Sequence, residues 1–478
     1  MVVERAKWGG NFGEWFRSVL VDAGVMDYRY PIKGCGVWLP YGFKVRRNIL
    51  QVMRDLLDST GHEEALFPLL IPETSLAKEA THVRSFEGQC FWVTQGGSTP
   101  LEVKLALRPT SETAIGPMLR LWIRSHADLP LKLYQVVNIF RYETRATRPI
   151  LRMREVSTFK EAHTAHATRE EAEAQVREGM EIYKRFFEEM SVPYLVSTRP
   201  EWDRFAGAEE STAFDMVCPD GRSLQIGTVH NLGQNFSKAF DITYETEDGK
   251  QEHIWQTCYG ISGRAIAAVL ISHGDDHGFV LPPRIAPVQV VIVPIPYKGR
   301  EEGVNKTCEG VAEKLRAANV RVKLDLRTDL TPGSKFYYWE LRGVPLRVEI
   351  GPRDVEQDMV TIVRRDTLER ETCKADEIAP FTQRLMEKMA GELRQKAWRW
   401  MKNRLHRVGS LEEAKRLLER RAGIVEAPWC GGRDCGLALE EKTNARVLGV
   451  PADAKEQAIE GECINLSLIH ISEPTRPY

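Results

Sequence analysis

Leu133-Tyr-Gln-Val-Val-Asn-Ile-Phe-Arg-Tyr-Glu-Thr-Arg145, a short loop containing Pro149, and then Arg152-Met-Arg-Glu-Val-Ser-Thr-Phe-Lys-Glu-Ala-His163 form the stretch that decides the fold. Two strand-like runs on either side of a short loop predict a β-hairpin. The two-residue period of a strand puts Arg141, Glu143 and Arg145 on one face, and Phe159, Glu161 and His163 on one face of the returning strand. Around the hairpin, Asn48 to Ser59 and Glu170 to Met190 read as helices. The second is capped by Thr168, with Glu170 and Glu171 in its first turn. Helices mixed with antiparallel strands predict an α+β domain built on an antiparallel sheet.

Further along, Gly278-Phe-Val-Leu-Pro-Pro-Arg-Ile-Ala-Pro287 breaks the pattern, since its prolines end any helix and start a new unit. Val288–Pro294, Val320–Leu326, Leu346–Ile350 and Met359–Val363 read as strands, and Gly303–Asn319 and Ser334–Leu341 as helices. That alternation predicts an α/β domain with a largely parallel sheet. From Ala375 to about Arg421 the pattern is mostly helical. Within it Arg394–Arg407 is basic, free of acids and interleaved with Trp398 and Trp400. It is either a solvated helix with packed tryptophans or a phosphate-contacting face.

A chain of 478 residues predicts a few domains. Its 42% hydrophobic and 28% charged residues are the balance of a globular protein rather than a disordered or membrane one. No apolar run is long enough to span a bilayer, and the N-terminus lacks the apolar core of a secretory signal. The 9 cysteines, an odd number scattered along the chain, suit reduced thiols in a cytoplasm. A net charge of −1 argues against non-specific nucleic-acid binding, so any RNA contact must rest on local positive charge.

Three segments carry chemistry. On the hairpin, arginine, carboxylate and aromatic side chains suit a nucleotide, because arginine forks onto phosphate and a ring stacks on a base. Cross-strand Arg–Glu pairs are also ordinary surface contacts. In Trp255-Gln-Thr-Cys-Tyr-Gly-Ile-Ser-Gly-Arg264, a strand runs into an apolar helix. Arg264 in its first turn opposes the helix dipole and calls for an anion, either a bound phosphate or a neighbouring carboxylate. Gly61 to Pro72 reads as a helix end followed by a proline-broken edge strand.

In this order the three segments resemble the signature motifs of class II aminoacyl-tRNA synthetases. The first ends in Pro68, expected at a dimer interface. The next has Arg141-x-Glu143, a loop and Arg152, and the last leads through glycines and Ser262 to Arg264. Arg108-Pro-Thr110-Ser-Glu112-Thr113 is similar to the Thr-x-Glu loop of the prolyl branch. Gln225-Ile-Gly-Thr228-Val-His230 is similar to that branch's strand beside the aminoacyl pocket. The domain order resembles the archaeal and eukaryotic-like type.

The resemblance implies a class II catalytic domain over 1–283, an α/β anticodon-binding domain over 284–385, a small zinc-ribbon-like C-terminal domain over 386–465, and a non-native tail over 466–478. It further implies a cytoplasmic homodimer that makes an adenylate from L-proline and ATP with Mg2+ and transfers the prolyl group to proline tRNA. The interval between Arg152 and the third motif is too short for an editing domain, so no cis-editing is expected.

By the same resemblance, Arg141 bridges the proline carboxylate and the α-phosphate, and Glu143 reads the adenine amino group. Arg152 and Arg264 hold the γ-phosphate. Ser262, Gln225 and Thr228 lie along the nucleotide, with Mg2+ near Gln225. Thr110, Glu112 and His230 surround the proline ring and its imino nitrogen, and Phe159 walls the pocket. Attack of a carboxylate on the α-phosphate needs positioning and charge stabilisation rather than a protein nucleophile. Glu340 and Arg347 are either readers of the anticodon guanines or an ordinary ion pair.

Cys430-Gly-Gly-Arg-Asp-Cys435 has the spacing of half a zinc site, and Cys463 follows. The family's fourth cysteine is replaced by Leu466, so the Zn2+ site is expected to be incomplete. Leu466 to Tyr478 is unlike the family's end and resembles a translated adapter sequence, which leaves His470 as no ligand. Two rivals stay open: another class II ligase, opposed by Thr110, Glu112 and His230, and a non-catalytic regulatory relative, opposed by Arg141, Arg152 and Arg264.

Overall fold

The computed structural model describes residues 7–78, 88–452 and 462–465. One sheet holds strands β1 (Glu63–Glu64), β2 (Leu131–Phe140), β3 (Glu155–His166), β4 (Leu195–Thr198), β5 (Glu210–Val217), β6 (Ser223–Gly233) and β7 (Trp255–Ser262). β2 and β3 are the predicted hairpin, paired from Leu131↔Ala165 to Phe140↔Glu155. The order is β4-β5-β6-β7-β3-β2-β1, antiparallel throughout except β1 on β2. The α+β expectation is met.

Helix Arg169–Glu189 begins at Thr168. The Thr168 hydroxyl accepts from the Glu171 N–H at 3.2 Å and the Glu171 carboxylate accepts from the Thr168 N–H, a reciprocal cap. Its Ile182, Tyr183, Phe186 and Phe187 are buried in the main core, as is helix Gly263–Ser272. The helix expected from Asn48 starts earlier, at Pro40, whose missing N–H has no partner to lose in a first turn.

Two expectations fail. Arg141, Glu143 and Arg145 do not share a strand face, because β2 ends at Phe140. The backbone then turns, with the Glu143 N–H donating to the Arg141 carbonyl at 2.7 Å. The second sheet is not largely parallel. Its strands β8 (Val290–Pro294), β9 (Val322–Leu324), β10 (Leu346–Ile350), β11 (Met359–Arg364) and β12 (Arg370–Lys374) run in the order β9-β8-β10-β11-β12. Only β8 pairs in parallel, with β9 and β10, while β10, β11 and β12 are antiparallel. Only the six-residue helix Pro352–Gln357 lies between β10 and β11, too short for a crossover.

Helix Ile378–Lys402 runs unbroken through residue 386, where a boundary was expected. Trp398 packs edge-on against Tyr194 at 5.3 Å, and Trp400 lies 5.1 Å from Trp8, so both rings are packing residues. Near the end of the described chain, β13 (Val450–Pro451) pairs antiparallel with β4, Val450↔Thr198 and Pro451↔Ser197, and becomes the eighth strand of the first sheet. Gly449 makes this approach possible. Its φ is +108°, and a Cβ there would sit 1.9 Å from the Thr198 carbonyl oxygen. The tail with His470 lies outside the described residues, and no described helix is long and apolar enough to cross a membrane.

Burial holds His62, His166 and His273 down to about 4, and His230 down to about 3. Each is neutral in the fold at pH 6 yet takes a proton when unfolded, near pH 6.5. The unfolded state therefore gains protons first as pH falls, and stability drops by about 1.4 kcal/mol per pH unit for each histidine at most. His163 acts in the opposite sense. Burial opposes its charge, but the Glu161 hydrogen bond and the Glu112 and Glu161 charges outweigh it and raise its pKa. Four against one predicts a lower urea midpoint at pH 5 than at pH 7; an equal or higher midpoint at pH 5 would contradict these assignments.

Candidate active site

The face of the first sheet opposite helix Arg169–Glu189 forms a cavity of about 310 Å³. Every residue expected around proline and nucleotide lines it: Thr110, Glu112, Arg141, Glu143, Arg152, Phe159, Gln225, Thr228, His230, Ser262 and Arg264. The sheet explains the convergence. Phe159 and Glu161 share one face of β3, Gln225, Thr228 and His230 lie on β6, and Ser262 ends β7 opposite Phe159. The loop 108–112 is brought in by backbone, since the Phe140 N–H donates to the Arg108 carbonyl at 2.9 Å.

At one end the arginines gather. The Arg141 Nε donates to the Pro109 carbonyl at 3.0 Å, and its guanidinium lies 6.0 Å from the Phe159 ring. Ser262 caps helix Gly263–Ser272 by accepting from the Arg264 N–H at 3.2 Å. The Arg264 Nε donates to the Leu151 carbonyl at 3.0 Å. Burial lowers the pKa of both arginines, and mutual repulsion adds to it: Arg264 acts on Arg141, and Arg152 on Arg264. Arg152 reaches the Glu143 carboxylate at 3.6 Å. Half-buried cations pressed together at a helix N-terminus make a site for a polyanion. Arg145 is exposed and does not line the cavity.

At the other end the side chains are acidic. The Thr110 hydroxyl donates to Glu112 Oε2 at 2.5 Å, and the Cys258 thiol to Glu112 Oε1 at 3.4 Å. Behind them Glu161 accepts from Ser111 and from Gln135 Nε2, the latter at 2.9 Å, and faces His163 Nε2 at 3.4 Å. Burial opposes ionisation of Glu161, but His163, Ser111 and Gln135 together keep its pKa low. Ligand-type atoms of Glu112, His163 and Cys258 lie within 4.8 Å of one another. Burial, with Glu112 and Glu161, pushes the Cys258 thiol far up, so it stays protonated, and the Glu161 hydrogen bond and the Glu112 and Glu161 charges raise the His163 pKa against its burial. That donor set does not suit a metal, and it leaves the Glu112 carboxyl to meet a cationic group in the cavity. His230 Nδ1 is 2.8 Å from the Ser211 hydroxyl, and its ring lies 4.9 Å from that of Phe205.

Elsewhere, Glu340 and Arg347 are brought together as an ion pair at 2.5 Å, with Arg347 also on Glu349 at 2.9 Å and over the Phe336 ring. Pro68 is exposed, flanked by exposed Leu66, Leu69 and Leu70. Cys430, Cys435 and Cys463 offer sulfurs within 4.8 Å of one another.

Sequence reasoning missed Ser111, Gln135, Cys258, Phe205 and Ser211 as site residues, and used Glu161 and His163 only as strand neighbours. Strand period from Phe159 could have found Glu161 and His163. Phe205 and Ser211 carry no local signal and meet His230 only through the pairing of β5 with β6.

Comparison with known proteins agrees along the chain. Residues 91–273 match the tRNA synthetase class II core domain (G, H, P, S and T), 289–385 the anticodon binding domain, and 411–467 the prolyl-tRNA synthetase C-terminal domain. Proteins named proline–tRNA ligase are 55% identical in Ignicoccus hospitalis (95% of each chain), 54% in Pyrococcus horikoshii (96% of each) and 52% in Saccharolobus islandicus (97% of each). The solved Giardia lamblia prolyl-tRNA synthetase in complex with prolyl-adenylate superposes with a TM-score of 0.92 at 36% identity, over 96% of this chain and 95% of that one. With its sheet, its paired acidic and arginine-lined ends and its near full-length relatives, this chain belongs to the prolyl-tRNA synthetase family of class II aminoacyl-tRNA synthetases.

Proposed function

We propose that this chain is a proline–tRNA ligase that activates L-proline with ATP and transfers the prolyl group to the 3′ end of proline tRNA. The observation that carries the reading is one cavity with Glu112 at one end and Arg141, Arg152 and Arg264 at the other. A zwitterionic imino acid fits between them, with its imino cation on Glu112 and Thr110, its ring between Phe159 and His230, and its carboxylate toward Arg141. The triphosphate then lies along Arg152 and Arg264, the adenine against Glu143, and the ribose and phosphates beside Gln225, Thr228 and Ser262. Arg141 touches both reactants. Its charge brings carboxylate and α-phosphate together and stabilises the negative charge that grows between them. Oxygen donors of Gln225 and the phosphates fit Mg2+, which when bound neutralises phosphate charge.

The wider organisation follows the same reading: catalytic residues 1–283, an anticodon-binding unit over 284–385 in which Glu340 and Arg347 exchange their ion pair for guanine contacts, and a C-terminal unit over 386–465. The exposed Leu66, Leu69 and Leu70 around Pro68 fit a second copy of the chain. Three cysteine sulfurs fit three of the four ligands of a structural Zn2+. The reading includes no cis-editing step. A cytoplasmic setting suits the free thiols.

Amino-acid-dependent ATP–pyrophosphate exchange across a panel tests the activity. Proline is expected to be the preferred substrate, and exchange driven by threonine or glycine instead would replace this reading with another class II ligase.

A further inference from the structure

The segment Arg199–Phe205 joins two parts of the molecule that sequence order keeps far apart. On one side it is fastened to the C-terminal unit. The Arg199 Nη1 donates to the Leu448 carbonyl at 2.7 Å, and Trp202 packs edge-on against Trp429 at 5.9 Å. The Trp202 indole N–H donates to Glu440 at 3.3 Å, and Asp203 meets Arg446 at 3.3 Å. Gly436 lies so close that an added Cβ would be 2.2 Å from the Trp202 ring.

On its other side the same segment walls the cavity. Arg199, Asp203, Arg204 and Phe205 line it, and the Phe205 ring lies on that of His230. The Phe205 N–H donates to the Ser211 hydroxyl at 3.0 Å, the same hydroxyl that holds His230 Nδ1. Arg199 is the pivot. It is 4% exposed, its Nη2 forks onto Asp215 at 2.7 and 2.9 Å, and its backbone N–H donates to the Ser211 carbonyl at 2.8 Å. Its Nε is buried without a hydrogen-bond partner, 3.7 Å from Asp203. A buried guanidinium with one unmet N–H holds its place only while its other partners stay fixed, and one of them is the Leu448 carbonyl.

We propose that Arg199–Phe205 is a strap through which the C-terminal unit sets the position of Phe205 and His230 in the amino-acid pocket, with Arg199 as its positioning residue. The proposal rests on the proline-pocket reading above. Loosening the strap from the C-terminal side moves the pocket wall and leaves the arginine-lined end alone, so proline binding suffers and ATP binding does not.

The test uses the full-length enzyme with Trp429→Ala, Trp429→Phe and Arg446→Ala, none of which lines the cavity. Trp429→Ala is expected to raise the KM for proline in pyrophosphate exchange about tenfold with the KM for ATP unchanged, and Trp429→Phe to restore it. Arg446→Ala gives a smaller shift in the same direction. Simple loss of folded enzyme would lower apparent kcat and leave both KM values alone. Amide hydrogen exchange over residues 199–212, measured without substrate, is expected to speed up in Trp429→Ala. A wild-type KM for proline in Trp429→Ala, or unchanged protection of that segment, overturns the strap. Absence of proline-dependent exchange in the wild type would instead count against the pocket reading, and the protection measurement still decides the strap.

Discussion

Arg264→Ala is expected to abolish proline-dependent pyrophosphate exchange while leaving the enzyme folded. Arg264 stands in the first turn of helix Gly263–Ser272, where the helix dipole, Arg141 and Arg152 all oppose its charge. Within the protein the Glu143 and Asp215 charges favour it but do not outweigh burial and Arg152, so a substrate phosphate completes its partners. Removing one such group from a charge-stabilising set costs on the order of 10²–10³ in kcat. The same repulsion means the fold does not need this charge, so the thermal midpoint should stay level or rise. Arg264→Lys should retain a fraction of the rate, because a point charge without the second N–H fork holds phosphate less well. Exchange at the wild-type rate in Arg264→Ala would remove Arg264 from the ATP site.

Glu112→Gln should act at the opposite end and in the opposite parameter. Glu112 is buried, and both its oxygens are engaged, one by Thr110 and one by Cys258. Replacing the carboxylate by an amide keeps the volume and removes the charge that meets the imino cation. A buried hydrogen bond to a charged group is worth about 1.5–3 kcal/mol, so the KM for proline should rise roughly ten- to a hundredfold. The KM for ATP should be unmoved. Direct proline titration gives the same answer without turnover, and wild-type proline affinity in Glu112→Gln would refute the pocket assignment.

The two ends of the cavity differed in how legible they were in the sequence. Arg264 announces itself because an arginine after glycine in the first turn of an apolar helix is locally anomalous, while Arg141 and Arg152 took their roles from the resemblance of the hairpin. Glu112 and His230 depended on the resemblance of short strings. The hairpin was plain because its residues alternate over two long runs. The misreading of Arg141, Glu143 and Arg145 came from extending that alternation past Phe140, where a hydrogen bond to Arg108, distant in sequence, ends the strand. The antiparallel half of the second sheet was hidden because Arg370–Lys374 is polar and exposed along one face. The strap was invisible, since nothing in Arg-Pro-Glu-Trp-Asp-Arg-Phe says that one side meets Trp429 and the other His230.

The pairing of Val450–Pro451 with β4 also fixes when this protein can finish folding. Arg199 and the Leu448 carbonyl it holds are 249 residues apart. At ribosomal rates of about 5–20 residues per second, tens of seconds separate their synthesis. Throughout that interval β4 is the bare margin of a large antiparallel sheet, the kind of margin that recruits strands from other nascent chains. The strand that closes this margin is the last among the described residues, so a message cut short before Leu448 would yield a chain with its sheet open to aggregation.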